Sequence, residues 1–245
     1  MRILSYNICR GGVGRETRIG AVVRQCDPDL VICQEATRPA SVDRIAAAAG
    51  LPHYASRRGG SVAFLSRAPV AQYTWRKPRG SQHAFLEIVP QGEPCRIFGV
   101  HLSAVHSAWT ERRRVFELRA LLAAIAPHQH GFHLLAGDFN TLAPGETFDF
   151  RLLPNRLRAL VWLSGGRIRW RTIQRLLDAG YVDVFRTRHP DEAGLTFPTW
   201  SPHIRLDYAF VPAGFTTRVT ACRVMTVEGA AQASDHFPLL VEVSD

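Results

Sequence analysis

Hydrophobic and polar positions along the first half of the chain alternate between two-residue and helical periods. Residues 2–8 alternate and predict a strand, and Gly11, Gly12 and Gly14 then predict a loop. Over 16–26, Ile19, Val22 and Val23 fall on one face and predict a helix, followed by a short apolar strand at 29–33. Residues 42–49 predict a helix ended by Gly50. Strands are expected at 61–65, 84–89 and 96–101, with Pro69, Pro78, Gly80, Pro90 and Gly92 between them, a pattern that suits antiparallel pairing. The clearest helix is 109–126, where Val115, Leu118, Leu122 and Ile125 recur at helical spacing, and 132–136 reads as a buried strand. Further strands are expected at 181–185, 206–211, 216–227 and 239–243. Neither a linker nor a repeat interrupts the series, so one mixed α/β domain over 1–245 is the expected organisation.

Residues 150–177 break the pattern. They hold seven arginines and no acid, with Trp162 and Trp170 interleaved, and read as a helical insertion of two short helices broken at Gly165 and Gly166. Arg167, Arg169 and Arg171 would suit phosphate tracking beside Trp170; the bland alternative is two solvated amphipathic helices with inward tryptophans.

Composition changes the picture in three respects. The chain has 245 residues with 46% hydrophobic and 21% charged, which excludes wholesale disorder. No apolar run approaches the roughly 18 residues of a membrane span, and the N-terminus alternates like a strand rather than a signal peptide, so a cytoplasmic protein without membrane insertion is expected; a monomer is expected as a separate matter, which the sequence does not fix. Net charge is +9, with Lys77 the only lysine among 30 basic residues, and favours acidic partners such as nucleic acid, phosphorylated small molecules or lipid headgroups. Five cysteines without CxxC spacing argue against a disulfide framework or zinc cluster; Cys9 and Cys33 are expected as reduced core thiols.

The candidate chemistry sits where apolar strands end. Asn7 follows RILSY, Gln34 and Glu35 follow DLVIC, His101 follows RIFGV, and Asp138 and Asn140 follow FHLLA. Asp207 lies inside IRLDYAFV, and Asp235 and His236 precede PLLVEV. Polar side chains at strand ends converge over a sheet edge. Asp207, flanked by apolar residues, needs a partner if buried, and His236 is the natural candidate. An oxygen-rich donor set without ligand-like cysteines suits a hard divalent cation, Mg²⁺ above all, with Mn²⁺ a possible substitute. Taken singly, each cluster could be a turn or a surface edge; the ordered set carries the inference.

That set, SYN at 5–7, QE at 34–35, HL at 101–102, GDFN at 137–140, RLD at 205–207 and SDH at 234–236, resembles the endonuclease/exonuclease/phosphatase superfamily with the DNase I-like fold. The resemblance implies a four-layer α/β sandwich of two mixed, mainly antiparallel sheets flanked by helices. It implies that Glu35 is the main Mg²⁺ ligand, assisted by Asn7 and Asp235. Asp138 would orient or deprotonate the attacking water, and Asn140 would hold that water or the phosphate. His236, oriented by Asp207, would stabilise the transition state, and His101 would face the phosphate.

The C-terminal third is similar to the exonuclease III group, with two departures. Where the abasic-site branch often has an acid two residues after the Asn, this chain has Cys9, which points to one metal held mainly by Glu35. Only residues 201–204 separate the aromatic run LTFPTW from RLD, shorter than the branch's segment for an abasic sugar. Trp200 is read as a substrate contact and Phe197 as core. Arg113 is the candidate site residue of the 112–114 arginine run.

The expected function is a Mg²⁺-dependent nuclease or DNA-end-processing phosphodiesterase, with DNA favoured over RNA and no protein partner implied. The alternatives are a phosphodiesterase or phosphatase for lipid headgroups or other small phosphate esters, and a non-catalytic domain on the same fold. Retention of Glu35, Asp138, Asp207, Asp235 and His236 argues against the last.

Overall fold

The strands alternate between two buried faces, and this dictates a layered molecule. The computed structural model describes residues 1–92, 95–104, 108–128, 130–146, 149–152, 155–163 and 170–244. The first part runs β1 (Arg2–Asn7), α1 (Glu16–Cys26), β2 (Leu30–Gln34), α2 (Pro39–Ala49), β3 (His53–Ala55) and β4 (Val62–Ser66). Then follow β5 (Val70–Arg76), β6 (Phe85–Pro90), β7 (Arg96–His101), α3 (Ala108–Ile125) and β8 (His133–Asp138). The remainder is α4 (Asn155–Leu163), α5 (Arg171–Asp178), β9 (Tyr181–Asp183), α6 (Val184–Arg188), β10 (Asp207–Pro212), β11 (Val219–Val224), α7 (Ala230–Ala233) and β12 (Leu239–Val243).

Two six-stranded sheets result, in the orders β11-β12-β1-β2-β4-β3 and β5-β6-β7-β8-β10-β9. Each holds one parallel pair, β1 with β2 and β7 with β8, and is otherwise antiparallel. Ile3, Ile32, Phe64, Leu86, Ile97, Leu134, Ala136, Ala209 and Val241 pack between the sheets. Leu4, Tyr6, Val31 and Cys33 turn outward onto Val22, Val23 and Ile45 of α1 and α2. On the second sheet Phe98, Val100, Leu135 and Phe210 turn outward onto Leu118, Leu121, Ile173 and Leu176 of α3 and α5. This is the four-layer sandwich expected above.

The same period places the polar strand ends. Two residues beyond an inward residue the chain faces inward again. Asn7 therefore shares the inner face of Ile3, His101 that of Ile97, Asp138 that of Leu134 and Ala136, and Asp207 that of Ala209. Register sets them side by side, with His101 and Asp207 both directly opposite Asp138. Gly137 makes this tight juxtaposition feasible: a Cβ there would lie 1.9 Å from the Val100 carbonyl oxygen.

Several expectations need correction. Residues 70–76 form a strand, β5, although none of its seven residues is buried, four are exposed at the sheet's edge, and the pairing is irregular between Val70 and Gln72. Residues 181–185 split, because the Asp183 carboxylate accepts the Arg186 amide and caps α6. The first part of the strand expected at 216–227 is a 3-10 segment, Ala213–Arg218. In the arginine-rich stretch, α4 and α5 are both helical, while 164–169, which contain Gly165, Gly166, Arg167 and Arg169, lie outside the described residues. Trp162 and Trp170 are exposed rather than inward.

Candidate active site

The site forms where the two sheets meet at the ends of β1, β2, β7, β8 and β10. Asn7 joins them. Its Nδ2 donates to Asp138 Oδ2 at 3.0 Å and to Glu35 Oε1 at 3.4 Å, linking one sheet to the other. Glu35 follows β2 with φ of 57°, a left-handed turn that brings its carboxylate back over the strand ends. Its Oε2 accepts the Arg10 amide at 2.5 Å.

Asp138 is buried at the centre. His101 Nε2 and His236 Nε2 each lie 3.9 Å from its Oδ2. Its Oδ1 accepts the Asn140 amide at 2.8 Å, an Asx-type contact that holds Asn140 at φ 51°. The Asn140 side-chain amide donates to Leu102 O and to Asp138 Oδ2.

His236 is oriented by Asp207, whose Oδ2 lies 2.8 Å from Nδ1. Asp207 is buried, and among the described residues its other oxygen has no hydrogen-bond partner, so its charge is directed at this ring. The Thr196 hydroxyl accepts the backbone amides of Leu206 and Asp207, and the Ser234 hydroxyl donates to Asn7 O at 2.6 Å. Ser234 thereby ties the loop carrying Asp235 and His236 to β1, and the Phe237 amide, which donates to Thr196 O, ties it through Thr196 to the start of β10.

Burial and charge divide the titrating groups. Burial alone would push His236 down, but Asp207, then Asp138 and Asp235, outweigh it and lift the ring to about 10. It is therefore an imidazolium at neutral pH. Burial lifts Asp138 to about 7, opposed by His236 and reinforced by Asp207. Burial pushes His101 down to about 3, helped by His83 and His236, so this ring is neutral. Three groups within a few ångströms thus hold three different proton affinities.

Endonuclease/Exonuclease/phosphatase family character extends over residues 4–236. The chain belongs to that family. It is accordingly a hydrolase acting on phosphoester bonds. No curated protein sequence matches it. Among solved structures it is similar to the 3′ phosphatase NExo from Neisseria bound to a product DNA hairpin, at 18% identity and a TM-score of 0.75 with all of both chains covered. It is similar to an AP endonuclease from Archaeoglobus fulgidus, at 19% identity and a TM-score of 0.69, again with all of both chains covered. It is also similar to a humanized D. rerio TDP2, at 16% identity and a TM-score of 0.68, with all of this chain and 99% of that one covered. At these identities the likeness is one of fold.

Enzymes of the endonuclease/exonuclease/phosphatase family generally depend on a divalent metal, and the donor set here can be tested for fit. Glu35 and Asp235 both act electrostatically on the Cys9 thiol, so their carboxylates share one corner with the Asn7 amide. Among the described residues no three His, Cys, Asp or Glu side chains converge into a protein cage. Mg²⁺ takes few protein oxygens and keeps several waters, because it dehydrates reluctantly, and two carboxylates with an amide suit it. Cys9 does not compete: burial, then Asp235 and Glu35, push its thiol up to about 11, and a neutral thiol is a poor ligand for a hard cation. The residues fit such an ion. Cys9 is also a correction, since it is half-buried at the site rather than in the core, turned there by a φ of 50°.

The weaker candidates disperse. Trp200 is 71% exposed and meets Phe197 at 6.4 Å, and Phe197 meets His236 at 4.8 Å between ring centroids. Phe197 is therefore a wall of the His236 side of the site, not simply core. Arg113 is exposed on α3 and its charge reaches His83; Arg171 lies at the start of α5. Sequence reasoning missed two supports of His101. The Ser61 hydroxyl meets its Nδ1, and His83 stacks on the ring at 4.5 Å and 8°. Ser61 precedes β4, whose Val62 pairs with Gln34, but no motif of its own marked it in the sequence. His83, alone in a Gly-, Ser- and Gln-containing loop, carried no signal.

Proposed function

We propose that this protein is a Mg²⁺-dependent nuclease or DNA-end-processing phosphodiesterase. The observation that carries the reading is Asp138 Oδ2, within 3.0 Å of the Asn7 amide and 3.9 Å of two histidine rings in opposite charge states. A carboxyl group with a proton affinity near neutrality is matched to accept a proton from an attacking water. His236, held as a cation by Asp207, donates toward the extra charge that develops on the phosphoryl oxygens. His101, neutral and pinned by Ser61, offers a hydrogen bond without a competing charge. Asn140 is held by Leu102 O and Asp138, placing its amide at the same centre. Glu35, Asn7 and Asp235 would hold Mg²⁺, or Mn²⁺ in its place, which supplies Lewis-acid stabilisation of a phosphoryl oxygen when bound.

Nucleic acid is the favoured substrate because the net charge is +9 and because the similar Neisseria enzyme was solved with DNA. Among the described residues no helix is long and apolar enough to cross a membrane.

The test is a substrate panel with purified protein in Mg²⁺ or EDTA: single-stranded, duplex, abasic and 5′-tyrosyl DNA, RNA, sphingomyelin and inositol phosphates. Cleavage of a DNA substrate that EDTA stops, and that Asp138→Ala and His236→Ala abolish, is expected. Selective cleavage of a lipid or inositol ester would replace the nucleic-acid reading, and full activity in EDTA would overturn the mechanism.

A further inference from the structure

A second basic feature lies outside the catalytic centre. A groove of about 560 Å³ runs between α3 and α5, lined by Glu111, Arg112, Val115, Arg119, Arg171, Gln174, Arg175 and Asp178. Four of these side chains are arginines, and among the described residues none of the four is in a salt bridge. Some other surface arginines do find acids, as Arg2 does with Glu242, Arg44 with Glu16 and Arg67 with Asp27, whereas among the described residues Arg18 and Arg24 on α1 do not; what distinguishes these four is that they line one cleft.

The two acids in the groove neutralise it only in part, Asp178 offsetting a single arginine. Glu111 is buried and already engaged: Arg114 donates to it twice, and the Thr172 amide, the Thr172 hydroxyl and the Thr141 hydroxyl donate once each. Asp178 accepts the Gln174 amide. Four guanidinium groups around one cleft repel one another, and an anion in the cleft relieves that repulsion. The planar, bidentate guanidinium matches phosphate oxygens.

Position selects which anion. Arg114 donates to Ser103 O, two residues beyond His101, and Thr141, which follows Asn140, bonds Glu111. The N-terminal part of α3 is thus tied to both segments leaving the catalytic centre, which puts the Glu111 end of the groove beside them. Arg112 and Arg119 are seven residues apart, about 10 Å along the helix. One strand of nucleic acid carries roughly three phosphates over that distance. Arg171 and Arg175, one turn apart, line the facing wall.

We infer that the α3–α5 groove carries the phosphate backbone of the substrate strand beyond the bond being cleaved. The inference rests on the nucleic-acid reading above and extends it to where the strand runs.

The test is the double charge reversal R119E/R175E, at the end of the groove away from the catalytic centre. Anisotropy of a fluorescein-labelled single-stranded oligonucleotide is followed against salt in EDTA, which withholds the cation. Kd is expected to rise about tenfold or more at low salt, and the slope of log K against log salt to flatten by about 1.4, the value for two lost contacts. R119K/R175K should retain most binding. R18E/R24E on α1, which makes the same change in net charge at exposed positions on the other side of the sandwich, should bind as wild type does. Melting curves check that each variant folds. If wild type cleaves DNA but R119E/R175E binds unchanged, or R18E/R24E loses as much, the groove assignment falls alone. If wild type neither binds nor cleaves any nucleic acid, the groove and the nucleic-acid reading fall together.

Discussion

Asp207→Asn isolates one charge. The amide keeps the size of the carboxylate and a hydrogen-bonding atom near His236 Nδ1, but removes the negative charge that does most to hold the ring protonated. In the native protein the ring titrates at about 10. Without Asp207 only Asp138 and Asp235 oppose burial, and where these balance the ring returns to its ordinary value near 6.5. At pH 8 that leaves about one ring in thirty protonated. If the imidazolium is the form that stabilises the phosphoryl charge, kcat/KM at pH 8 falls by about thirtyfold, and the loss shrinks as pH is lowered toward 6. The assay is a pH profile of kcat/KM on DNA in saturating Mg²⁺ for both proteins. The native alkaline limb should lie near pH 10 and the variant's near about 6.5. Stability should follow the same sign. A ring whose folded value is raised stabilises the native state fully below about 6.5 and loses that contribution as pH climbs to 10. The raised value corresponds to on the order of 5 kcal/mol across that window. Native melting temperatures should therefore fall from pH 6.5 to 10 more than those of Asp207→Asn. An alkaline limb that stays near 10 in the variant would refute the charge argument outright.

Other perturbations follow from single contacts. Gly137→Ala drives a methyl group into the Val100 carbonyl and should cost about 3 kcal/mol or more, read by urea denaturation, with activity lost as β7 and β8 part. Glu111→Ala strands the buried Arg114 guanidinium and frees the start of α5; a loss of about 3–5 kcal/mol is expected in the same assay. Glu35→Gln removes the principal candidate ligand charge, so the Mg²⁺ concentration for half-maximal cleavage should rise by about tenfold or more while the melting temperature in EDTA does not fall.

Much of this was legible because one rule produces both fold and site. Alternation that buries Ile3, Ile97, Leu134 and Ala209 between the sheets also turns Asn7, His101, Asp138 and Asp207 the same way at the strand ends. Asp207 announced its need for His236 by being an acid in an apolar run. Legibility failed where geometry departs from regular strands. Cys9 follows an apolar strand and reads as core, yet a positive φ turns it beside Glu35 and Asp235. His83 reaches His101 from a loop whose path no periodicity encodes. Strand β5 escaped because an edge strand half in solvent alternates weakly. The arginines of the α3–α5 groove were visible as two separate runs, but their opposition across one cleft is a property of helix packing.

The hydrogen bond from Asn7 to Asp138 crosses from one sheet to the other, and so does the set of proposed reacting groups. Neither half of the sandwich owns a working centre. A loosened state that kept every helix and strand but let the two layers slide would look native by far-ultraviolet circular dichroism and be chemically silent. Turnover in this fold is thus a gauge of interlayer alignment, and it should vanish before backbone structure does as denaturant is raised.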